Sequence, residues 1–136
     1  MVALGLVVAE FNRSVTAEME SEARDVIDEA DAELCEIVHV PGAYDSPLAA
    51  DRLARRDDVD AVAVIGAIVT GDTDHDQVIA QSTADQLTRV SLDRDTPVTL
   101  GVSGPGMSGA EARERVENGA KAVESALELV DSLDGL

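Results

Sequence analysis

Four short apolar runs, each followed by a segment with helical spacing, limit this chain to a sheet that is covered on both faces. The runs are residues 4–9 (LGLVVA), 34–40 (LCEIVHV), 61–65 (AVAVI) and 98–102 (VTLGV). Strands that are apolar throughout are typical of parallel sheets, whereas a half-exposed strand alternates apolar and polar residues. The alternation predicts one α/β domain over residues 1–136, a four-stranded parallel sheet with helices on both faces in a flavodoxin-like three-layer αβα arrangement.

Four helices are predicted to connect and follow these strands. Apolar residues recur at helical spacing in residues 15–30, 48–56, 78–90 and 112–130, and the last segment is expected to form one long helix. Val78 is expected on the buried stripe of the third helix.

Ligands of such sheets bind beyond the carboxyl ends of the strands. The segments at those ends are residues 10–12, 41–47, 66–75 and 103–108, which are expected to be loops. These loops contain most of the unusual residues of the chain, so the sequence predicts a ligand site there.

The net charge of −18, from 28 acidic and 10 basic residues, argues against nucleic acid and anionic membranes as partners. No apolar run reaches the roughly 18–20 residues that span a bilayer. Lysine is reduced to Lys121, while arginine keeps nine positions. Acidic composition with almost no lysine predicts a protein adapted to high salt, where a Debye length of ~3 Å at 1 M screens neighbouring charges.

A cytoplasmic location is expected from two features. Cys35 is the single cysteine and cannot form an internal disulfide, which fits a reducing compartment. The first twelve residues (MVALGLVVAEFN) lack a basic leader, so no secretory signal is expected.

The third loop favours a phosphate site. Gly71 and Thr73 lie where a loop enters a helix, and unpaired amides there, aided by the helix dipole, suit a small dianion. The alternative is that Thr73 only caps the helix. Asp72 and Asp74 oppose an anion site unless they point outward.

Three further residues are candidates for chemistry. His75 can donate or accept a proton near neutral pH, or is simply an exposed helical histidine. Phe11, the only phenylalanine, offers a stacking face for a flat heterocycle, or is a core plug below the loop. Arg115 suits phosphate through its planar donor fork, or pairs with Glu111 one turn away.

Several other site types are excluded by spacing. An EF-hand loop starting at Asp72 needs Gly and Glu where Gln77 and Thr83 stand, and zinc has too few soft ligands. No metal is therefore expected. Residues 101–106 are glycine-rich but do not form a dinucleotide fingerprint, and residues 106–110 do not form a nucleophile elbow.

Taken in order, four segments resemble the 6,7-dimethyl-8-ribityllumazine synthase family. Residues 7–12 (VVAEFN) resemble its first-strand signature, residues 40–47 (VPGAYDSP) its P-G-A loop, residues 66–75 (GAIVTGDTDH) its G-x-T-x-H segment, and residues 97–102 (PVTLGV) its last strand. The turn at residues 104–107 is most similar to the archaeal branch. Leu100 differs from the phenylalanine of many members.

The resemblance implies a condensation of 5-amino-6-ribitylaminouracil with 3,4-dihydroxy-2-butanone 4-phosphate that needs no cofactor. It implies a pyrimidine and ribityl site formed by Phe11, Asn12, Gly42, Ala43, Tyr44, Asp45, Ile68, Val69 and Leu100. It implies a phosphate site of Gly71, Asp72, Thr73 and Arg115, with His75 and Arg115 as catalytic residues.

The resemblance also implies a homo-oligomer, either a pentamer or a 60-mer of twelve pentamers, with active sites between subunits. Two alternatives share the fold: an archaeal-type riboflavin synthase, which dismutates the lumazine, and a shell protein that binds flavin without turnover. The third loop favours the condensing enzyme, because only that reaction needs a phosphate site.

Overall fold

The computed structural model describes residues 1–71 and 73–136, so Asp72 lies outside the described residues. The elements in chain order are β1 (Ala3–Ala9), α1 (Arg13–Glu29), β2 (Glu33–Val40), a 3₁₀ turn (Ala43–Asp45), α2 (Ser46–Ala54), β3 (Ala61–Val69), α3 (His75–Arg94), β4 (Val98–Met107), α4 (Gly109–Arg113) and α5 (Glu117–Leu133). No helix in these described ranges is both long enough and apolar enough to span a bilayer.

The strands form one parallel sheet in the order β2-β1-β3-β4. At its middle, Val7 of β1 pairs with Val38 of β2 and Val64 of β3, and Val64 pairs with Leu100 of β4. The carboxyl ends of β1, β2 and β3 lie next to one another, so the loops that follow these three strands are also neighbours. The four-stranded parallel sheet predicted from the apolar runs is confirmed.

Two hydrophobic cores cover the two faces of this sheet. Leu6 and Val8 of β1 pack in the core that includes Met19 of α1 and residues of α5, whereas Val7 lies in the core that includes Leu53 of α2 and residues of α3. Successive residues of β1 alternate between the faces, as strand geometry requires. The flavodoxin-like three-layer arrangement is therefore confirmed.

Two strands are longer than predicted. Residues 66–69 extend β3 and residues 103–107 extend β4, although both segments were expected to be loops. The extensions pair with each other, because Ala67 lies opposite Ser103 and Val69 opposite Met107 across a bulge. Pairing of the two backbones outweighs the turn preference of the glycines in this part of β4.

The predicted long final helix is wrong, because it is broken into α4 and α5 at residues 114–116. Ser108 starts α4 with a capping box, since its hydroxyl accepts from the Glu111 amide and the Glu111 carboxylate accepts from the Ser108 amide. The expected burial of Val78 is also wrong, since it is 64% exposed. Val78 lies two residues after the buried Asp76, which at 100° per residue puts it across the helix.

Candidate active site

A cavity of about 490 Å³ opens beyond the carboxyl ends of β1, β2 and β3. Its walls come from the segment after β1, the turn between β2 and α2, the end of β3, and the first turn of α3. This volume lies within the range of small-molecule sites, and the position is where parallel α/β sheets bind ligands. The predicted site residues that line it are Phe11, Gly42, Ala43, Tyr44, Asp45, Ile68, Val69, Gly71 and His75.

Both aromatic rings of the chain lie at this cavity. Phe11 is 57% exposed and Tyr44 is 65% exposed, and the sequence contains no other phenylalanine, tyrosine or tryptophan. The alternative that Phe11 is a core plug is therefore wrong. Its backbone is fixed, because the Phe11 amide donates to the Pro41 carbonyl at 3.0 Å. The ring is thus held on a rigid backbone while one face stays free to stack.

The turn between β2 and α2 forms a second, tightly bonded wall. The Gly42 amide donates to Asp45 Oδ2 at 3.0 Å, and the Ser46 hydroxyl donates to the Ala43 carbonyl at 2.7 Å. The buried Thr83 hydroxyl of α3 also donates to that carbonyl, at 3.4 Å. These bonds fix the turn against α3, so the cavity keeps its shape without a ligand.

The loop between β3 and α3 forms the third wall. Gly71 lines the cavity, and a Cβ built on it would meet nothing within 4 Å, so its backbone lies in open space. The Thr73 hydroxyl accepts a bond from the His75 amide at 3.3 Å, but the N-cap of α3 is Asp74, so Thr73 is not the helix cap expected as its alternative. His75 begins α3, is exposed, and lines the cavity. The His75 residue and the Gly71 backbone therefore border the same cavity.

Asn12 does not line the cavity but starts the helix behind it. It has a left-handed backbone with φ 61° and ψ 51°, and its carbonyl accepts from the Val15 and Thr16 amides at 2.8 and 3.0 Å. Its side-chain Nδ2 is buried with no hydrogen-bond partner among residues 1–71 and 73–136. Polar atoms left in this state are uncommon in folded proteins and point to a missing partner.

Leu100 and Arg115 also lie away from this cavity. Leu100 of β4 is 50% exposed and lines two smaller hollows at the outer edge of the sheet. Arg115 is exposed in the break between α4 and α5. The expected pair with Glu111 is not formed, and no ion-pair partner of Arg115 is found among the described residues. Both side chains face outward from their own chain.

The backbone of Arg115 is held by a buried polar pair. The Ser103 hydroxyl, inside β4 and fully buried, donates to the Arg115 carbonyl at 2.9 Å. The same hydroxyl accepts from Asn118 Nδ2 at 3.1 Å. The position of Arg115 is therefore fixed by the sheet, although its side chain is exposed.

Some cavity residues were not predicted from the sequence. Asp76, Ile79 and Thr70 line the cavity, together with Ala67 and Pro41. Asp76 is only 6% exposed, and its Oδ2 accepts from the Gly106 amide at 3.0 Å. An acid beside a histidine was visible in the sequence, but its burial depends on β4 reaching this point.

A charged cluster lies on α1 and β2. The Glu20 carboxylate is 8% exposed and bonds to Arg13 at 3.1 Å, Arg24 at 3.2 Å and His39 at 2.9 Å. Burial raises the pKa of the Glu20 carboxyl, but the bonds from His39, Arg13 and Arg24 together outweigh it, so the pKa is below its ordinary value. The ionised form of Glu20 is the one that the fold stabilises.

A parallel sheet with a cavity at the carboxyl ends of its strands, lined by an exposed phenylalanine, the backbone of a loop that enters a helix and a histidine, defines a ligand-binding α/β domain of the enzyme type. A family model narrows this class. The model for 6,7-dimethyl-8-ribityllumazine synthase matches residues 1–134, and the chain belongs to this family.

Individual relatives agree with the family model. The chain is 76% identical over 133 residues to a 6,7-dimethyl-8-ribityllumazine synthase of Halobacterium salinarum, covering 98% of this chain and 100% of the relative. It is 72% identical over 134 residues to that of Halorubrum lacusprofundi, with the same coverage. The synthase of Methanocaldococcus jannaschii is 44% identical over 136 residues, covering 100% of this chain and 96% of the relative.

Proposed function

We propose that this chain is an enzyme of riboflavin biosynthesis that condenses 5-amino-6-ribitylaminouracil with 3,4-dihydroxy-2-butanone 4-phosphate. The products are 6,7-dimethyl-8-ribityllumazine, phosphate and water. One observation carries the proposal: Phe11, Gly71 and His75 line one cavity in a chain of this family. Curated synthases 76% and 72% identical to it support the same activity.

The pyrimidine is proposed to stack on Phe11, whose exposed ring stands on a fixed backbone. The backbone of Ile68 and Val69, at the end of β3, would pair with the polar edge of the base. The ribityl chain would lie along the turn of Ala43, Tyr44 and Asp45, with Asp45 accepting from its hydroxyls. A preformed turn suits this role because little ordering is needed on binding.

The phosphate is proposed to bind at the loop before α3. Gly71 lines the cavity just before the positive end of a 20-residue helix, and the Thr73 hydroxyl, which does not line the cavity, bonds to the first amide of that helix. Asp72 was predicted to contribute its amide and lies outside the described residues. His75 is proposed to move protons during imine formation, phosphate elimination and ring closure, since its ring borders the same cavity.

The site is proposed to be completed by a neighbouring subunit. Small-molecule substrates and homo-oligomeric assembly follow from membership of the family. Leu100 and Arg115 do not line the cavity of their own chain, and both are exposed, with Leu100 on the edge strand β4. We propose that they enter the site of the next subunit in a pentamer, with Arg115 binding the phosphate. The same contact between neighbouring subunits would be present in a 60-mer of twelve pentamers.

High salt is proposed to be the working condition. Assembly brings many copies of a chain with net charge −18 together, and salt reduces their repulsion. The similarity of the chain to synthases of Halobacterium and Halorubrum supports this proposal. A cytoplasmic location stays a prediction from the single cysteine.

The direct test is to mix the purified protein in high salt with both substrates and to follow lumazine absorbance and released phosphate. His75→Ala should slow turnover by about 10- to 100-fold, the lower part of the range for general acid–base catalysis or below it. His39→Ala is the matched control, since His39 is the other histidine and does not line the cavity. If His75→Ala and His39→Ala form lumazine at the same rate, His75 has no part in the mechanism.

A second experiment tests the shared site. Arg115→Ala should mainly raise the KM for the phosphorylated substrate. His75→Ala and Arg115→Ala subunits are then unfolded together and reassembled as mixed oligomers. Sites that receive both native residues from two different chains should regain wild-type turnover, so the mixture should exceed either variant alone. A mixture no more active than the sum of its parts would show that both residues act within one chain.

A further inference from the structure

The loop between β3 and α3 is flanked by two bonds to neighbouring residues of β4. At its start, the Thr70 amide and hydroxyl donate to the Met107 carbonyl at 2.9 and 3.4 Å. At its end, Asp76 Oδ2 accepts from the Gly106 amide at 3.0 Å. Thr70 and Asp76, which flank the segment that carries the proposed phosphate amides and His75, are therefore both fixed on one strand.

The strand that provides these fixed points is itself held closely on β3. Gly104 has φ +109°, and a Cβ there would lie 1.9 Å from the Ile68 carbonyl oxygen. Gly106 has φ +78°, a conformation that side chains rarely adopt. The two glycines let β4 curl over the end of β3. A bond to the Gly106 amide thus ties the loop to the sheet.

The second of these bonds uses an unusual acceptor. The Asp76 carboxylate is 6% exposed and lines a cavity that is proposed to take a dianion. A buried carboxylate is costly, and a negative charge on this wall opposes phosphate binding. Two effects offset the cost: a bond to a carboxylate is stronger than one to a neutral acceptor, and an acid is favoured in the first turn of a helix. A carboxylate at this position is explained if the loop before α3 must be held firmly on β4, because the bond from the Gly106 amide is then stronger than one to a neutral acceptor.

We propose that Asp76 is a positioning residue for the phosphate end of the site. It fixes the start of α3 on β4 so that His75 borders the cavity beside Gly71, and it does not contact the phosphate. The inference rests on the proposed function, because the phosphate belongs to that reaction. The anchor itself can be tested without turnover.

The kinetic test compares three variants in high salt. Asp76→Ala removes the acceptor and should raise the KM for the butanone phosphate by about tenfold, the effect of losing a hydrogen bond to a charged group. The KM for the pyrimidine should stay within about twofold, since its wall is formed by other segments. Asp76→Asn keeps an oxygen acceptor and should restore the KM to within about threefold of wild type. Asp74→Asn removes an exposed acid from the same loop and should behave like wild type.

Two kinetic outcomes would overturn the proposal. Equal rises in both KM values after Asp76→Ala would indicate general damage to the fold. An Asp76→Asn variant as poor as Asp76→Ala would show that the acceptor does not hold the loop. A rise limited to the phosphorylated substrate, with rescue by asparagine, supports positioning.

Hydrogen exchange measured by mass spectrometry on the assembled protein gives a readout that does not depend on catalysis. Asp76→Ala should speed exchange in peptides covering residues 70–76 and 104–107, whereas Asp76→Asn and Asp74→Asn should not. Unchanged exchange in Asp76→Ala would refute the anchor. If the wild type forms no lumazine, the proposed function fails, while the exchange result still decides whether Asp76 holds the loop.

Discussion

Replacing Gly119 by alanine tests how closely α1 and α5 must approach each other. A Cβ at this position would lie 2.5 Å from the Met19 carbonyl oxygen and 3.0 Å from Met19 Cβ, where ordinary contact begins at 3.4 Å. Met19 is fully buried, and its backbone belongs to α1, so neither atom can turn aside. The helices must separate locally by about 1 Å, and overpacking of this kind costs about 1–3 kcal/mol.

Because neither Met19 atom can move aside, the cost of overpacking should lie in the upper half of that range, at about 2–3 kcal/mol. Alanine is a better helix former than glycine by up to about 1 kcal/mol, so the net loss of stability should be about 1–2 kcal/mol. The assay is denaturant unfolding at one salt and one protomer concentration, because the stability of an oligomer depends on both. Gly109→Ala is the matched control, since a Cβ there meets nothing within 4 Å and should be neutral or stabilising. A Gly119→Ala protein as stable as wild type would refute the close contact.

Three further outcomes are expected. In steady-state kinetics, Phe11→Leu should raise the KM for the pyrimidine by about two- to tenfold through lost stacking and leave the KM for the butanone phosphate unchanged. Equal changes in the two KM values would argue against stacking. Glu20→Gln should destabilise the fold near pH 7. Because the pKa of Glu20 is lowered in the folded protein, the difference in unfolding free energy between wild type and variant should be full above pH 4.5 and shrink as the pH falls further. A difference that does not change with pH would show that the ionised form of Glu20 does not stabilise the fold. Ser103→Ala should cost about 1 kcal/mol in unfolding and raise the KM for the butanone phosphate through Arg115; wild-type values of both would show that the Ser103 hydroxyl does not position it.

The sheet was predictable because its strands are apolar on both faces. Residues 4–9 and 61–65 have no polar side chain that could face water, so helices on both sides are the remaining solution. The break that divides the predicted last helix into α4 and α5 was harder to predict from the sequence. Val116 continues the apolar spacing across residues 114–116, although the Arg115 amide there bonds to the Ala112 carbonyl, three residues back, and the Arg115 carbonyl accepts from Ser103.

The candidate site was predictable where the residue itself carries the chemistry. Phe11 and His75 follow from residue type and from their place after buried strands, and the structure brings both to one cavity. Asp76 was not among the predicted site residues, because its acceptor bond depends on Gly106, 30 residues away in a segment that was expected to be a loop. Long-range pairing of β3 with β4 sets this contact, and local sequence patterns do not report it.

The confinement of both aromatic rings to one cavity gives the protein a built-in optical reporter. Tryptophan is absent, so Tyr44 is its single intrinsic fluorophore of useful strength, and that ring stands 65% exposed at the cavity mouth. Emission from the unlabelled chain therefore samples the ligand-binding space rather than an average over the whole molecule. A heterocycle entering the cavity would quench that emission directly, so occupancy could be titrated without dyes, tags or turnover.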